Sequence, residues 1–411
     1  MIHITPFKAI RPVRDKVHLV ATRPYYTYKK NVLKAKLEEN PFTFLRIINP
    51  EFNSERKTKP NSHERFLHVQ DKYVEFLNNR ILFQEENEAV YIYQQTKNGH
   101  QFTGVIAGAS IDDYESGKIK KHEATLTSRE AMFVDYLDIV GYNAEPVLLA
   151  HPAHDKLEIT LLRLMQVRPE YEFTTTDEVK HELWILSTAE TTEIQGYFSE
   201  MDALYIADGH HRSASSAGLR NQRQLKKKNG FKNEDYFLAF LMDERKMEIL
   251  EFNRLVKTMN NLSKEAFLNS IEKIGSLTSL NHAQKPLHEH QITFYLDSNW
   301  YALNIVKALI PSTNPVKCLD TDLLTELILR PILGIQDLKT DPNISFVSGA
   351  ESIESIVSTV DSDKFKIAFI LYPISIEQVK AVADANGIMP PKSTWVEPKL
   401  RSGLTIYNIN E

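Results

Sequence analysis

Cysteine is almost absent. The 411-residue chain holds one, Cys318, so no internal disulfide is possible and a reducing compartment suits it. Long apolar runs are missing too: a stretch such as Ile367 to Leu371 is far too short to span a bilayer. No positively charged start is followed by an apolar core and a cleavage site, so a cytoplasmic protein without a secretory leader is expected. Positive charge is not in excess either. With 49 Lys and Arg against 54 Asp and Glu, the formal charge of −5 gives no electrostatic case for binding nucleic acid or an anionic membrane. Internal repeats and low-complexity segments are lacking. So are a Walker-type glycine-lysine loop, a kinase glycine loop and the His-Glu-x-x-His spacing that sets two metal ligands on one helical face.

What is present is the composition of an ordinary globular protein, 42% hydrophobic and 25% charged, long enough for two or three packed units. Periodicity and breakers give an alternation of helices and strands. Helices are expected over Lys29 to Glu39, from Asn61 (a capping box with Glu64), from Ser128 to Gly141 (a capping box of Thr127 and Glu130), over Asp155 to Gln166 and over Ala189 to Met201. Strands are expected at Phe42 to Ile48, Val90 to Gln94, Gln101 to Ala107, Pro146 to Ala150, Glu182 to Leu186 and Tyr236 to Met242. Asn98-Gly99 between the second and third of these is a strong hairpin signal. Met247 to Phe252 reads as a further strand, and a second lobe begins near Ser263. There a helix ends at Gly275, strands follow at Ile292 to Leu296, Trp300 to Ile305 and Phe365 to Leu371, and Ser375 with Gln378 caps a helix.

Three polar clusters interrupt this pattern. The central one is Leu204-Tyr205-Ile206-Ala207-Asp208-Gly209-His210-His211-Arg212: a short buried strand, a glycine pivot, then the first turn of a helix. Asp208 suits the N-cap, and Gly209 lets the backbone turn tightly and approach a ligand. The free N–H groups of the first turn, with Arg212, form an anion pocket at the positive helix end. The second cluster is Lys118 to Glu123, within a polar loop that begins at Asp112. The third is the tail, Met389 to Leu404, where prolines fix an extended loop carrying Lys392, Trp395, Glu397, Lys399 and Arg401. Lys226 to Gly230 is basic, but lysines in a last turn followed by Asn-Gly read as a helix stop. If the three clusters converge, cations and helix-terminal N–H groups suit a phosphate, while a carboxylate can hold a divalent metal or accept a hydroxyl proton. That inventory is the one phosphoryl transfer uses. A metal hydrolase built on His122, Glu123, Asp208, His210 and His211 is the competing enzyme, although adjacent histidines at a helix start seldom bind one ion. Cys318 has no adjacent base and reads as a buried hydrophobe rather than a nucleophile.

The ordered set Pro6 to Pro12, Asn40-Pro41-Phe42, Gly117 to Glu123, Tyr205 to Arg212 and Met389 to Gly403 resembles the bacterial and archaeal family called domain of unknown function 1015, over nearly the whole chain. The chain departs from that pattern at Tyr25-Tyr26, where a Pro-Tyr-Asp run is expected. Asp208-Gly209-His210-His211-Arg212 is also similar to the phosphate-binding motif of the ParB/sulfiredoxin-like fold, which includes partition proteins, sulfiredoxin and free-serine kinases. Position 210 is histidine where sulfiredoxin has its reactive cysteine, and neither a basic face nor a DNA-binding helix pair is evident.

The resemblance implies an α+β protein. Residues 1–258 would form a ParB/sulfiredoxin-like nucleotide-binding lobe, and residues 259–411 an α/β lobe with a docked, site-forming tail. It implies an ATP- or ADP-dependent, Mg²⁺-assisted kinase for a small hydroxyl compound such as free L-serine. Gly209, His211, Arg212, Lys120, Lys121, His122, Lys392 and Arg401 would hold phosphate or nucleotide. Asp208 would serve the metal or the acceptor hydroxyl, with Glu123 as base and His210 also catalytic. The non-enzyme alternative is a nucleotide-sensing protein with the same pocket. Trp395 is expected to be largely buried, and Arg401 to point at the phosphate pocket.

Overall fold

Asn98 and Gly99, at positive φ of 51° and 80°, fold the chain back after two residues, and the long hairpin they create is the middle of the first sheet. The computed structural model describes residues 1–226, 232–311 and 313–411. They fold as two compact units. The first comprises Met1–Lys121, Thr125–Met247 and Pro398–Glu411; the second comprises His122–Ala124 and Glu248–Glu397. The division thus falls at Met247 rather than near residue 258, and the end of the tail belongs to the first unit. Both units mix helices with sheet, as an α+β chain should.

In the first unit nine strands form one sheet: Ile4–Thr5 (β1), Tyr91–Lys97 (β2), His100–Ser110 (β3), Ile119–Lys120 (β4), Val147–His151 (β5), Tyr171–Thr174 (β6), Lys180–Ile185 (β7), Leu204–Asp208 (β8) and Tyr236–Asp243 (β9). Their order is β4-β8-β5-β9-β3-β2-β7-β6, with β1 also on β3. Two pairings, β4 with β8 and β5 with β9, are parallel. Strand β3 is buried on both faces from Phe102 onward, and Gly104 permits this: a Cβ there would lie 2.4 Å from the Leu241 carbonyl oxygen of β9. Helices Lys30–Glu39 (α1), His63–Asn78 (α2), Thr127–Val140 (α3), Asp155–Leu164 (α4), Thr188–Ser199 (α5) and His210–Leu225 (α6) complete the unit. One core joins Val90, Ile92, Val105, Ala107, Ile206 and Phe237 of the sheet to Leu157, Leu161, Ile194 and Phe198 of α4 and α5. A second core packs Phe44, Tyr73, Phe76 and Tyr142 with Ile406 of the tail.

Several expectations are corrected. Residues 42–48 are not a strand: Asn40 Oδ1 accepts from Phe42 N at 2.9 Å, which turns the chain after Pro41, and Leu45–Ile48 is a helical turn. The cap of α2 is Ser62, whose hydroxyl accepts from Arg65 N, while Asn61 lies outside at φ 60°. Leu126 occupies the cap position of α3, so Thr127 is already helical; it is Thr125 that bonds Glu130. The polar loop from Asp112 contains a short helix, Ile111–Glu115, and its acids serve structure: Asp112 and Glu115 pair with buried Arg220 of α6, and Asp113 with Lys118. The expected Asn-Gly helix stop falls on residues 227–231, outside those described.

The second unit carries an antiparallel sheet of six strands: Phe252–Val256 (β10), Gly275–Leu280 (β11), Gln291–Leu296 (β12), Asn299–Ile305 (β13), Ile344–Ser348 (β14) and Ile367–Ile370 (β15). Their order is β11-β13-β12-β15-β10-β14. The expected strand from Met247 to Phe252 is divided: Glu248–Leu250 pairs with Trp395–Glu397, and β10 begins at Phe252. Helices Lys264–Ile271 (α7), Ile353–Asp361 (α8) and Ile376–Asp384 (α9) accompany it, and α9 opens with the expected Ser375/Gln378 capping box. Helix α7 stops short of Gly275, which instead opens β11.

Candidate functional site

Strand β8 delivers Asp208 and Gly209 to the start of α6, and its last pairing is irregular. Ile206 faces Leu149 and Asp208 faces Leu148 on β5, so Ala207 is an extra residue on one strand. A bulge of this kind bends the strand and re-aims the side chain that follows it, here Asp208. Gly209 then takes φ 108°, a backbone state that costs an L-residue steric energy. Gly209, and not Asp208, is the cap residue of α6, and a glycine brings no side chain to cap the first turn. The Asp208 carboxylate is engaged by side chains instead. Its Oδ2 accepts from Arg212 Nη2 at 2.6 Å and its Oδ1 lies 3.6 Å from Lys399 Nζ.

Arg212 is the hub. Its Nη1 donates to the Pro146 carbonyl at 2.6 Å and pairs with Glu145 Oε1 at 2.6 Å. Glu145 in turn accepts from the Ser402 hydroxyl at 3.2 Å. Two carboxylates and two cations therefore meet beside the uncapped helix start. Burial opposes the charge on Asp208, but Lys399 and Arg212 outweigh it and hold the carboxyl below its ordinary value. For Glu145 burial wins over Arg212, aided by the nearby negative charge of Asp208, and its pKa is raised. The two acids are pushed apart. Tyr26, on the loop fixed by Pro24, stands within reach of the same charges. Although 54% of the residue is exposed, shielding of its hydroxyl and the charges of Asp208 and Glu145 push that group well up. Where an acid is expected after Tyr25, this chain has a hydroxyl that stays protonated and can donate.

Of the remaining expected residues, Lys120 lies next to the motif: it pairs in register with Tyr205, and its Nζ is 5.9 Å from that ring. Lys121 lies over the Tyr114 ring at 4.7 Å. His210 is buried and His211 half-buried in the first turn of α6. His122 and Glu123 belong to the second unit, where the His122 carbonyl accepts from Met389 N at 2.9 Å; Lys392 belongs there too. Arg401 does not point at Asp208. It is buried, and its Nη2 donates to Asp177 at 2.9 Å and Thr175 at 3.1 Å. The tail cation at the motif is Lys399. Trp395 is partly buried, and its indole lies edge-on to Phe252. Sequence reasoning passed over Glu145 and Lys399 as site members. Lys399 stood within a flagged stretch, but Glu145, a lone acid before a strand, carries no sequence signal.

Among the described residues no three His, Cys, Asp or Glu side chains come together as a metal-ligating group, and no helix is long and apolar enough to cross a membrane. Solved structures with distant likeness include SbnI with C-terminal truncation from Staphylococcus aureus, at 11% identity and a TM-score of 0.38, over 71% of this chain and 82% of that one. A free serine kinase in complex with AMP is 12% identical with a TM-score of 0.36, over 74% and 91%. A conserved hypothetical protein from Pyrococcus furiosus is 13% identical with a TM-score of 0.35, over 75% and 96%. What those proteins bind is a property of theirs. No curated protein matches the chain in sequence. A family model described as "Protein of unknown function (DUF1015)" matches residues 4–322, most of the chain, and the chain belongs to that family.

Proposed function

We propose that the turn from β8 into α6 binds the phosphate of a nucleotide, and that the protein transfers phosphate from ATP or ADP to a small hydroxyl compound, with free L-serine the first acceptor to test. One observation carries this reading: α6 opens on a glycine at φ 108°, which has no capping side chain, while Arg212 and Lys399 stand at Asp208 beside it. Uncapped N–H groups at the positive end of a helix are ready donors to phosphate oxygens. The resemblance of Asp208 to Arg212 to a ParB/sulfiredoxin-like phosphate motif supports the same assignment, and with it the assignment of the first unit to that fold.

In this reading the phosphate meets the positive end of α6 at Gly209, and Arg212 fixes the turn through Asp208, Glu145 and Pro146. The acceptor oxygen forms its bond to phosphorus as the donor's bridging O–P bond breaks, and its proton passes to a carboxylate. Glu145, whose raised pKa suits a group that must take up a proton, is the carboxylate proposed for this step. Mg²⁺ bound with nucleotide phosphates needs only one or two protein carboxylates. Asp208, held below its ordinary pKa and with Oδ1 3.6 Å from Lys399 Nζ, fits that demand, and a bound ion there would neutralise phosphate charge.

The test is direct. Purified protein with ATP or ADP, Mg²⁺ and a panel of hydroxyl compounds led by L-serine is expected to phosphorylate one acceptor. Asp208→Asn is expected to lower turnover by about 10² to 10⁴ while the fold persists. Arg212→Lys is expected to be damaging as well, since lysine cannot reach Asp208, Glu145 and Pro146 together. Near-wild-type turnover in both variants would remove these roles. Clear nucleotide binding without turnover on any acceptor would make the protein a nucleotide sensor.

A further inference from the structure

Arg254 is the largest of the fully buried side chains. It stands in the middle of β10, paired in register with Phe346 of β14 and Phe369 of β15. Its guanidinium lies 5.1 Å over the Phe346 ring, and Nη1 donates to the carbonyl of Phe252. Nε and Nη2 meet no acceptor among the described residues. A guanidinium has five N–H donors and no acceptor, and a buried cation without an anion is strongly unfavourable. Burial alone pushes Arg254 down to about 9, the direction expected where no negative charge stands nearby.

A second cation reaches the same place. Lys392, exposed and at φ 57°, sets its Nζ 5.4 Å from the Phe252 ring, and Trp395 meets that ring edge-on at 5.7 Å. Phe252 and Phe346 are themselves in edge contact at 6.5 Å. Two cations thus share one aromatic cluster, one of them with donors unused.

We propose that Arg254 and Lys392 form a site in the second unit for a small oxyanion, a phosphate or a carboxylate. The planar fork of arginine suits two oxygens of such a group, and the surrounding rings exclude water and so strengthen the attraction. Because Nε and Nη2 are shielded, neighbouring side chains must move to admit the ion. An apolar residue at position 254 would satisfy the core equally well or better, so the need for arginine lies outside folding. These residues belong to the second unit, and their assignment does not depend on the role of the turn at Gly209.

The full chain is titrated with sodium phosphate and, in parallel, sodium malonate, against sodium chloride at matched ionic strength, reading the thermal midpoint. A saturable rise with phosphate, malonate or both is expected, and which ion gives it identifies the oxyanion. Arg254→Met is expected to melt at or above the wild type without the ion and to lose the rise. Lys392→Ala is expected to keep the ion-free midpoint and bind the ion roughly tenfold more weakly, as loss of a charge-assisted contact implies. No saturable rise in the wild type, or an undiminished rise in Arg254→Met, overturns the proposal. Should Arg254→Met not fold, unchanged affinity in Lys392→Ala overturns it. A rise lost in Arg212→Lys and kept in Lys392→Ala would belong to the first unit and overturn it too.

Discussion

At Gly209 an added Cβ would stand 3.0 Å from Arg212 Nε, with the backbone held at φ 108°. Both facts bear on Gly209→Ala. The positive φ costs an L-residue about 1–2 kcal/mol, and the methyl group presses on the guanidinium that joins Asp208, Glu145 and Pro146. We expect the variant to lose about that much stability in chemical denaturation and to bind nucleotide more weakly. A variant as stable as the wild type would show that the turn can relax. Asp208 shows why a residue's role follows from its surroundings. The local pattern of an acid ahead of a helix suits an N-cap, yet beyond the Ala207 bulge two nearby cations engage the carboxylate. Electrostatic attraction to Arg212 and Lys399 outweighs a cap bond worth about 1 kcal/mol.

The tail is held along its length by paired contacts. Ser402 exchanges backbone hydrogen bonds with Thr22 at 2.7 and 3.1 Å, and Gly403 N donates to the Ala144 carbonyl at 3.0 Å. Arg401 closes on Asp177, which Arg23 also approaches at 3.7 Å. Burial alone would raise the Asp177 carboxyl, but Arg401, Thr175 and Arg23 hold it at about 2, against about 3.9 for a free aspartate. The folded value is the lower one. The stability it contributes is therefore fully present above the unfolded value and is lost as pH falls through about 2. Denaturation midpoints measured between about pH 6 and pH 3 should fall less steeply for Asp177→Asn than for the wild type. Parallel profiles would mean that the pair is not linked to folding.

For the whole molecule, the two units set what a truncation can do. A lid could be removed without harm to the body, but Leu400, Leu404, Ile406, Tyr407 and Ile409 are all buried, and Ile406 belongs to a core of the first unit. Deleting the chain from Pro398 is accordingly expected to lower the thermal midpoint sharply or leave the protein insoluble. A truncated protein that melts like the full chain would return the tail to the role of a detachable cover.

Elements dictated by local chemistry were legible in the sequence. The Asn98-Gly99 hairpin, the Ser375/Gln378 capping box, helix α1 and strands β8 and β9 follow from turn residues, caps and period, which act over a few residues and need no distant partner. Strand β14 and helix α8 are not among the expected elements although α8 was legible, since Ile353, Ile356, Val357 and Val360 recur at helical spacing behind the Ser352 cap. The glycine pivot, too, was set by the sequence itself. What only the tertiary structure decided are the pairings across long separations. Glu145 and Lys399 reach the motif from opposite sides of the chain, Arg401 is claimed by Asp177, and Arg254 is enclosed by aromatic rings. Each depends on which strands lie side by side, and a charge far away along the chain leaves no local pattern, because its energy depends on distance in space and on the water excluded between the partners.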